Sequence, residues 1–98
     1  MDFDGFDWDD GNREKCRKHG VSVADIEFVM TTTDLFSEDP AHSIREQRFI
    51  AVGASREGRM MFVAFTLRAV DGRSLVRPIS ARYMHRKEFR RYAQDQGD

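Results

Sequence analysis

Two arginines flank the apolar stretch between Arg77 and Arg82, which reads Arg-Pro-Ile-Ser-Ala-Arg near the end of this chain. Arginine is costly to bury, and its guanidinium presents a rigid fork of donors that matches the oxygens of a phosphate group. Solvated ends of a strand are the ordinary alternative for such a pair. The stretch predicts a phosphate-binding surface if the fold brings further cations to it.

Two turn signals decide which side chains share a face of the sheet with Arg77. A two-residue turn at Asp71-Gly72 pairs Arg77 with Thr66, and a three-residue loop closed by Gly58 sets the register of the preceding hairpin. Directly opposed residues project from the same side of a sheet, so these registers gather one set of polar side chains on a single face. The set is Glu46, Arg48, Thr66, Arg68 and Arg77.

Alternation along the last strand has two further consequences. Arg82 points away from Arg77 unless a bulge intervenes between them. The opposite side of the sheet carries apolar side chains, so we expect that side to face the core. These apolar residues are Met61, Val63, Phe65, Leu67, Val76 and Pro78.

The elements that must position these side chains follow from caps, turns and periodicity. Asp9 or Asp10 caps a first helix that Gly20 ends, and Ser22 caps a second helix that the threonines at 31–33 break. The predicted strands cover residues 46–54, 60–68 and 75–82, with short extended segments at 3–8 and 35–36, and a third helix covers residues 85–94. We expect one domain over residues 1–98 with an α+β fold: an antiparallel sheet of three to four strands, with two N-terminal helices and one C-terminal helix packed on it.

Composition excludes several classes of function. No apolar run in the 98 residues approaches the ~18 residues that a membrane-spanning helix requires, and no charged and apolar leader precedes a cleavage site. We therefore expect a cytoplasmic protein. The single cysteine, Cys16, offers neither a disulfide nor a CxxC pair. The sequence has no P-loop, no dinucleotide-binding glycine pattern and no EF-hand loop, so it predicts no cofactor and no metal site.

The charge is asymmetric along the chain, although the net charge is only −1. Residues 1–49 carry 12 acidic and 6 basic side chains, whereas residues 50–98 carry 5 acidic and 10 basic side chains. This polarity predicts a basic surface for an anion and an acidic region that shields it or meets a different partner.

Several short motifs occur in the order found in one family of bacterial toxins. They are Phe6-Asp7-Trp8-Asp9, Lys18-His19-Gly20-Val21, Asp39-Pro40-Ala41-His42-Ser43 and Arg77-Pro78-Ile79-Ser80-Ala81-Arg82. In these motifs the chain resembles the BrnT family over about residues 3–92. The resemblance implies a RelE-like fold, an RNA substrate and cleavage of that RNA. It also implies a BrnA-type antitoxin partner, through which the complex binds operator DNA and represses its own operon. The absence of a long apolar run predicts no membrane partner.

RNA cleavage without a metal requires three chemical roles. A base removes the 2′-hydroxyl proton, cations stabilise the charged phosphorane, and an acid protonates the leaving 5′-oxygen. We predict Arg48, Arg68 and Arg77 as the catalytic cations, with Glu46 or His42 as the base. A purely structural salt bridge is the alternative for Glu46, and an ordinary surface histidine is the alternative for His42.

Five further side chains are predicted to contact RNA, namely Lys18, His19, Thr66, Arg82 and Tyr83. The tyrosine ring offers a surface on which a base can stack. Lys18 and His19 have a simpler alternative role, because cations near the C-terminus of a helix complement its dipole. The rival function is a non-catalytic module of the same fold that binds protein or RNA, since a binder needs the positive surface but no proton-transfer residue.

Overall fold

Three helices and one five-stranded sheet make up the fold in the computed structural model, which describes residues 1–97, with side chains up to residue 94. The elements follow the predicted order of one strand, two helices, four strands and one helix. They are β1 (Gly5–Phe6), α1 (Asp10–Arg17), α2 (Val23–Thr32), β2 (Leu35–Glu38), a 3-10 turn (Pro40–His42), β3 (Phe49–Ala54), β4 (Met60–Val70), β5 (Arg73–Tyr83) and α3 (Arg86–Gly97). The predicted domain runs to Asp98, which lies outside the described residues.

The sheet is mixed, and its strands lie in the order β1-β5-β4-β3-β2. Strands β2 to β5 are antiparallel neighbours, as predicted, whereas β1 runs parallel to β5 and pairs Gly5 with Leu75. The prediction of a wholly antiparallel sheet of three to four strands is therefore wrong for β1. No turn connects β1 to β5, so local signals carry no information about the pairing of this two-residue strand with a strand far along the chain.

Both hairpin turns have the predicted conformation. Asp71 and Gly72 have positive φ angles of 50° and 76°, which a two-residue turn of this kind requires. Gly58, at a φ of 84°, ends the other loop, and the Ser55 N–H donates to the Arg59 carbonyl at 2.8 Å. The predicted β4–β5 register is confirmed from the turn to the pair of Phe65 with Pro78, after which a bulge shifts it. The predicted β3–β4 register is confirmed over Phe49–Ala54.

The two N-terminal helices begin at side-chain caps. The Asp9 carboxylate accepts from the Asn12 N–H at 3.0 Å, and the Asn12 amide oxygen accepts from the Asp9 N–H at 2.7 Å, so each residue caps the other. Ser22 caps α2 through the Asp25 N–H, as predicted. α1 ends at Arg17, three residues before Gly20, so the predicted end of this helix is too late.

The end of α2 also differs from its prediction. The helix continues through Thr31 and Thr32 and stops at Thr33, whose backbone is extended. The hydroxyls of Thr31 and Thr32 donate to the Phe28 carbonyl, at 3.1 and 2.7 Å. Hydroxyls that bond back to the preceding turn allow β-branched residues to remain in the last turn of a helix.

The core lies between one face of the sheet and the helices α1 and α2. The predicted core face is confirmed for β4 and β5, where Met61, Val63, Phe65 and Val76 are fully buried. α2 packs on β3, and α1 lies along β5. The helical side chains buried in this core are Cys16, Ile26, Val29 and Met30.

α3 differs from the prediction, because α1 and α2 are the helices that pack extensively against the described part of the sheet. α3 follows β5 and is tied to it by Arg82, whose guanidinium donates to both Glu88 carboxylate oxygens at 2.8 and 2.7 Å. The helix spacing of Phe89 and Tyr92 predicts packing, but both side chains are only half-buried. None of the described helices is long and apolar enough to cross a lipid bilayer.

Candidate active site

A cleft of about 900 Å³ opens on the face of the sheet opposite the core. Its walls come from α1, from the loop between β2 and β3, and from the middle of β4 and β5. All five predicted catalytic residues lie in this lining, together with the predicted RNA contact Thr66. The lining residues are Gly11, Asn12, Lys15, Ala41, His42, Ile44, Arg45, Glu46, Arg48, Thr66, Arg68, Arg77 and Ile79.

Strand register brings the polar side chains of β4 and β5 into the cleft. Thr66 pairs with Arg77. β3 begins at Phe49, so the predicted start of this strand at residue 46 is too early, and Glu46 meets Arg68 from the loop before β3. The Arg68 guanidinium donates to the Glu46 carboxylate at 3.1 Å, and both side chains are about two-fifths exposed. A salt bridge was the alternative role predicted for Glu46, and the structure contains that salt bridge. Exposed pairs of this kind contribute about 0–1 kcal/mol to stability.

The loop before β3 is fixed by hydrogen bonds across its base. The Asp39 N–H donates to the Arg48 carbonyl at 2.9 Å, and the Arg48 N–H donates to the Ser43 hydroxyl oxygen at 2.9 Å. The Ser43 hydroxyl donates in turn to the Asp39 carbonyl at 2.6 Å. These bonds join the two ends of the loop. They therefore fix the backbone that carries His42 and Arg45 into the cleft lining.

Arg77 is held by two carboxylates of the acidic N-terminal segment. Its guanidinium lies 2.8 Å from an Asp9 oxygen and 3.5 Å from an Asp7 oxygen, and its side chain is 19% exposed. The backbone N–H of Asn12 and the hydrogen bond from Arg77 hold the pKa of Asp9 below its ordinary value. The acidic half of the chain therefore shields at least this cation of the basic half, in the way that the charge asymmetry predicts.

Thr66 lies in the floor of the cleft and is 1% exposed. Its hydroxyl is buried and has no hydrogen-bond partner among the described residues. A buried hydroxyl without a partner costs about 1–3 kcal/mol, and such a group calls for a functional or structural explanation. The hydroxyl has less than 1 Å² exposed to solvent, so a ligand in the cleft reaches it only if a side chain that covers it moves.

Four of the predicted RNA contacts lie outside the cleft lining. Lys18 and His19 are exposed in the turn after α1. Arg82 lies on the same face as Arg77, because a bulge at Ile79 shifts the register of β5, but its guanidinium is bound to Glu88 and lies 5.0 Å from the centre of the Phe62 ring. The Glu88 pKa lies below its ordinary value because of the hydrogen bond from Arg82.

Tyr83 lies on the core face of β5 and not in the cleft. The Arg59 guanidinium stacks 3.7 Å from the centre of its ring, and its hydroxyl lies 3.5 Å from an Asp25 oxygen. Burial, followed by the charge of Asp25, raises the pKa of the phenol. These contacts give the tyrosine a role in packing at the end of the sheet.

The contribution of α1 to the cleft was not among the sequence predictions. The spacing of Asp9 and Asn12 is that of a reciprocal cap, so it could have revealed where the helix begins. Lys15 lies one turn after Asn12 on the same side of the helix. No local signal shows that this helix lies along β5, which is what brings Gly11, Asn12 and Lys15 to the arginines.

Among the residues that the structure describes, no group of three or more His, Cys, Asp or Glu side chains is placed to hold a metal ion. No curated protein matches the sequence. A family model described as the ribonuclease toxin BrnT of type II toxin–antitoxin systems matches residues 8–88, a segment that contains every residue of the cleft lining. This chain therefore belongs to the BrnT family of ribonuclease toxins of type II toxin–antitoxin systems.

Proposed function

We propose that this chain is an endoribonuclease whose cleft cleaves RNA by attack of a 2′-hydroxyl on the adjacent phosphate, without a metal ion. The observation that carries the proposal is the convergence of Arg48, Arg68 and Arg77 with Glu46 and His42 in one cleft. Cations and a proton acceptor at one site are the groups that this reaction requires.

The arginines act on the phosphate in this proposal. Arg68 and Arg77 bind its non-bridging oxygens, since a guanidinium donates two parallel hydrogen bonds to such a group. Both arginines are paired with carboxylates in the free chain, Arg68 with Glu46 and Arg77 with Asp9. Arg48 adds a third guanidinium to the same lining.

The base is Glu46 or His42, the two proton acceptors of the lining. Three of the remaining predicted contacts, Lys18, His19 and Arg82, lie beyond the cleft, so in this proposal they meet flanking nucleotides and not the scissile phosphate. Tyr83 packs against the core under Arg59. Arg82 extends the cationic face of β5 past the bulge, where it reaches RNA only by leaving Glu88.

A BrnA-type antitoxin neutralises the toxin in this proposal by covering the cleft, and the complex binds operator DNA through the antitoxin. The lining holds five cations and one carboxylate, so an acidic segment complements it in charge. We propose that the chain works in the cytoplasm as one toxin domain over residues 1–98, and that its unopposed activity arrests growth.

Cleavage of a defined RNA by the purified full chain, in the presence of a chelator, tests the proposal. We expect Arg68→Ala and Arg77→Ala each to lower the cleavage rate by about 10²- to 10³-fold, because each removes a donor to the developing charge. Arg13→Ala is the matched control, since Arg13 is exposed on α1 and lies outside the lining. A substrate with a single 2′-deoxy position should resist cleavage at that position.

The outcomes separate the proposal from its rival. RNA binding without cleavage by the wild-type chain would favour the non-catalytic module. Cleavage that survives both arginine substitutions would remove the cleft as the site. Cleavage at wild-type rates by both Glu46→Gln and His42→Ala would remove the assigned bases. Inducible expression in a bacterial host, scored for growth and RNA integrity, tests growth arrest with the same variants.

A further inference from the structure

His42, which lines the cleft, contacts Asp39, the residue three positions before it. The Nδ1 atom of His42 lies 2.9 and 3.1 Å from the two oxygens of the Asp39 carboxylate. The Asp39 side chain is 16% exposed, whereas the His42 side chain is 66% exposed. The carboxylate is therefore mostly buried, whereas the imidazole is largely exposed to solvent.

We infer that His42 Nε2 is the general base of the cleft and that Asp39 is its positioning residue; the inference rests on the proposed function. A carboxylate accepts hydrogen bonds and donates none, so a neutral His42 must carry its proton on Nδ1 to bond Asp39. The lone pair then lies on Nε2. A carboxylate that fixes the tautomer and the ring orientation in this way also stabilises the imidazolium that forms during proton transfer.

Backbone hydrogen bonds around Asp39 stabilise the position of the His42–Asp39 pair. Its N–H and its carbonyl both take part in the hydrogen bonds that close the loop, with Arg48 and Ser43 as partners. Pro40 follows it at the start of the 3-10 turn that carries His42, and proline fixes its own φ near −65°. The pair is therefore held on a turn whose conformation is set independently of the imidazole.

Glu46, the other candidate base, has a different task in the same cleft. One of its carboxylate oxygens accepts from Arg68 at 3.1 Å. A carboxylate that orients a catalytic arginine would hold it more weakly after taking up a proton, because the hydrogen bond would lose its charge assistance. The two proton acceptors therefore have different roles: Glu46 orients a phosphate-binding arginine, and His42 takes the proton.

The proton-transfer step follows from this assignment. His42 Nε2 takes the proton of the 2′-hydroxyl as the O2′–P bond forms and the P–O5′ bond breaks. The leaving O5′ takes a proton from water. The products are a 2′,3′-cyclic phosphate and a 5′-hydroxyl end, and His42 returns its proton to solvent, so the step requires no oxidant or other reactant.

A double-mutant cycle tests the inference on the purified full chain, with single-turnover cleavage of a defined RNA. We expect His42→Ala to lower the rate by about 10²- to 10⁴-fold. We expect Asp39→Asn to lower it by about 10- to 100-fold, by analogy with carboxylates that orient metal-bound histidines, because the asparagine oxygen can still accept from Nδ1. The double variant should match His42→Ala within about twofold, because Asp39 acts only through His42. Asp34→Asn and His85→Ala are the controls, since both residues are exposed and lie outside the cleft lining.

Two further readouts separate positioning from folding. The affinity of Asp39→Asn for an uncleavable 2′-deoxy RNA should equal that of the wild type within about twofold. Nitrogen-15 spectra of the free wild-type chain, taken where histidines are neutral, should show His42 with its proton on Nδ1. A proton on Nε2 would overturn the inference even if the variants were poorly folded.

The kinetic outcomes distinguish this inference from the proposed function. Additive losses in the double variant would mean that Asp39 acts on the loop and not through His42. A wild-type rate for His42→Ala would likewise overturn the assignment and leave the ribonuclease proposal standing. An inactive wild-type chain, with no cleavage to lose, would overturn both.

Discussion

Asn12 joins α1 to two other parts of the chain, and its removal should be costly. The residue is 4% exposed, and its side-chain N–H groups donate to the carbonyls of Asp7 and Pro78 at 3.0 and 2.9 Å. Its amide oxygen accepts from the Asp9 N–H at 2.7 Å. Truncation to alanine therefore leaves two backbone carbonyls and one N–H without these partners in a largely buried region.

The magnitude follows from these three bonds. A hydrogen bond contributes a net ~0.5–1.5 kcal/mol, and a buried polar group left without a partner costs more than the bond was worth. We expect Asn12→Ala to lower the free energy of unfolding by about 2–4 kcal/mol, a large fraction of the ~5–15 kcal/mol of a typical domain. The loss corresponds to a fall in melting temperature of about 10–20 °C for a chain of this size.

Urea denaturation of the wild type, Asn12→Ala and Asn12→Asp measures this effect. Aspartate keeps the acceptor for the Asp9 N–H but loses both donors and sets a carboxylate against two carbonyls, so we expect it to be no better than alanine. Arg13→Ala, on the exposed side of the same helix, should change stability by less than about 0.5 kcal/mol. A loss below about 1 kcal/mol for Asn12→Ala, or full tolerance of aspartate, would refute the role of Asn12 as a tether between α1 and β5.

Three further predictions concern packing, acid and reactivity. Gly53→Ala should destabilise the fold by ~1–3 kcal/mol in urea, because a Cβ there would lie 2.8 Å from the Cβ of Thr33; unchanged stability would show that α2 can shift away from β3. The hydrogen bond from Arg82 lowers the pKa of Glu88 from its ordinary 4.5, so the pair stabilises the fold above that pH and loses this effect as the pH falls through the folded-state value. The unfolding free energy of Glu88→Gln should therefore fall less steeply than that of the wild type as the pH is lowered. An equal slope in the two proteins would contradict the pairing. Burial raises the pKa of Cys16 to about 11, so iodoacetamide near neutral pH should label this thiol only in denaturant, as followed by mass spectrometry; rapid labelling of the native chain would contradict its burial.

Local rules explain why much of the site could be predicted from the sequence. The Asp71-Gly72 turn and the Gly58 loop set the strand register, and register with alternation decides which side chains share a face. The face predicted for Arg68 and Arg77 is therefore the face on which both arginines lie. Each of these inferences depends on residues close together in the chain, where turn chemistry is informative.

The parts that could not be predicted depend on distant segments. No turn connects β1 to β5, so their parallel pairing has no local signal. The bulge at Ile79 lacks the glycine that often marks a bulge in a sequence. The carboxylates that hold Arg77 come from Asp7 and Asp9, near the other end of the chain. The charge asymmetry indicated that acidic residues shield the basic surface. It could not identify which residues pair, because the pairs depend on the packing of α1 along β5.

The carboxylates on Arg77 also change how RNA binding should respond to salt. Each phosphate that a protein neutralises on a single strand releases about 0.7 of a bound cation, which makes affinity fall as the salt concentration rises. A phosphate that replaces Asp9 at Arg77 returns that carboxylate to water, where it attracts a cation of its own. The contact is then an exchange of anions with little net counterion release. The salt dependence of binding should therefore report fewer phosphate contacts than the number of arginines in the cleft.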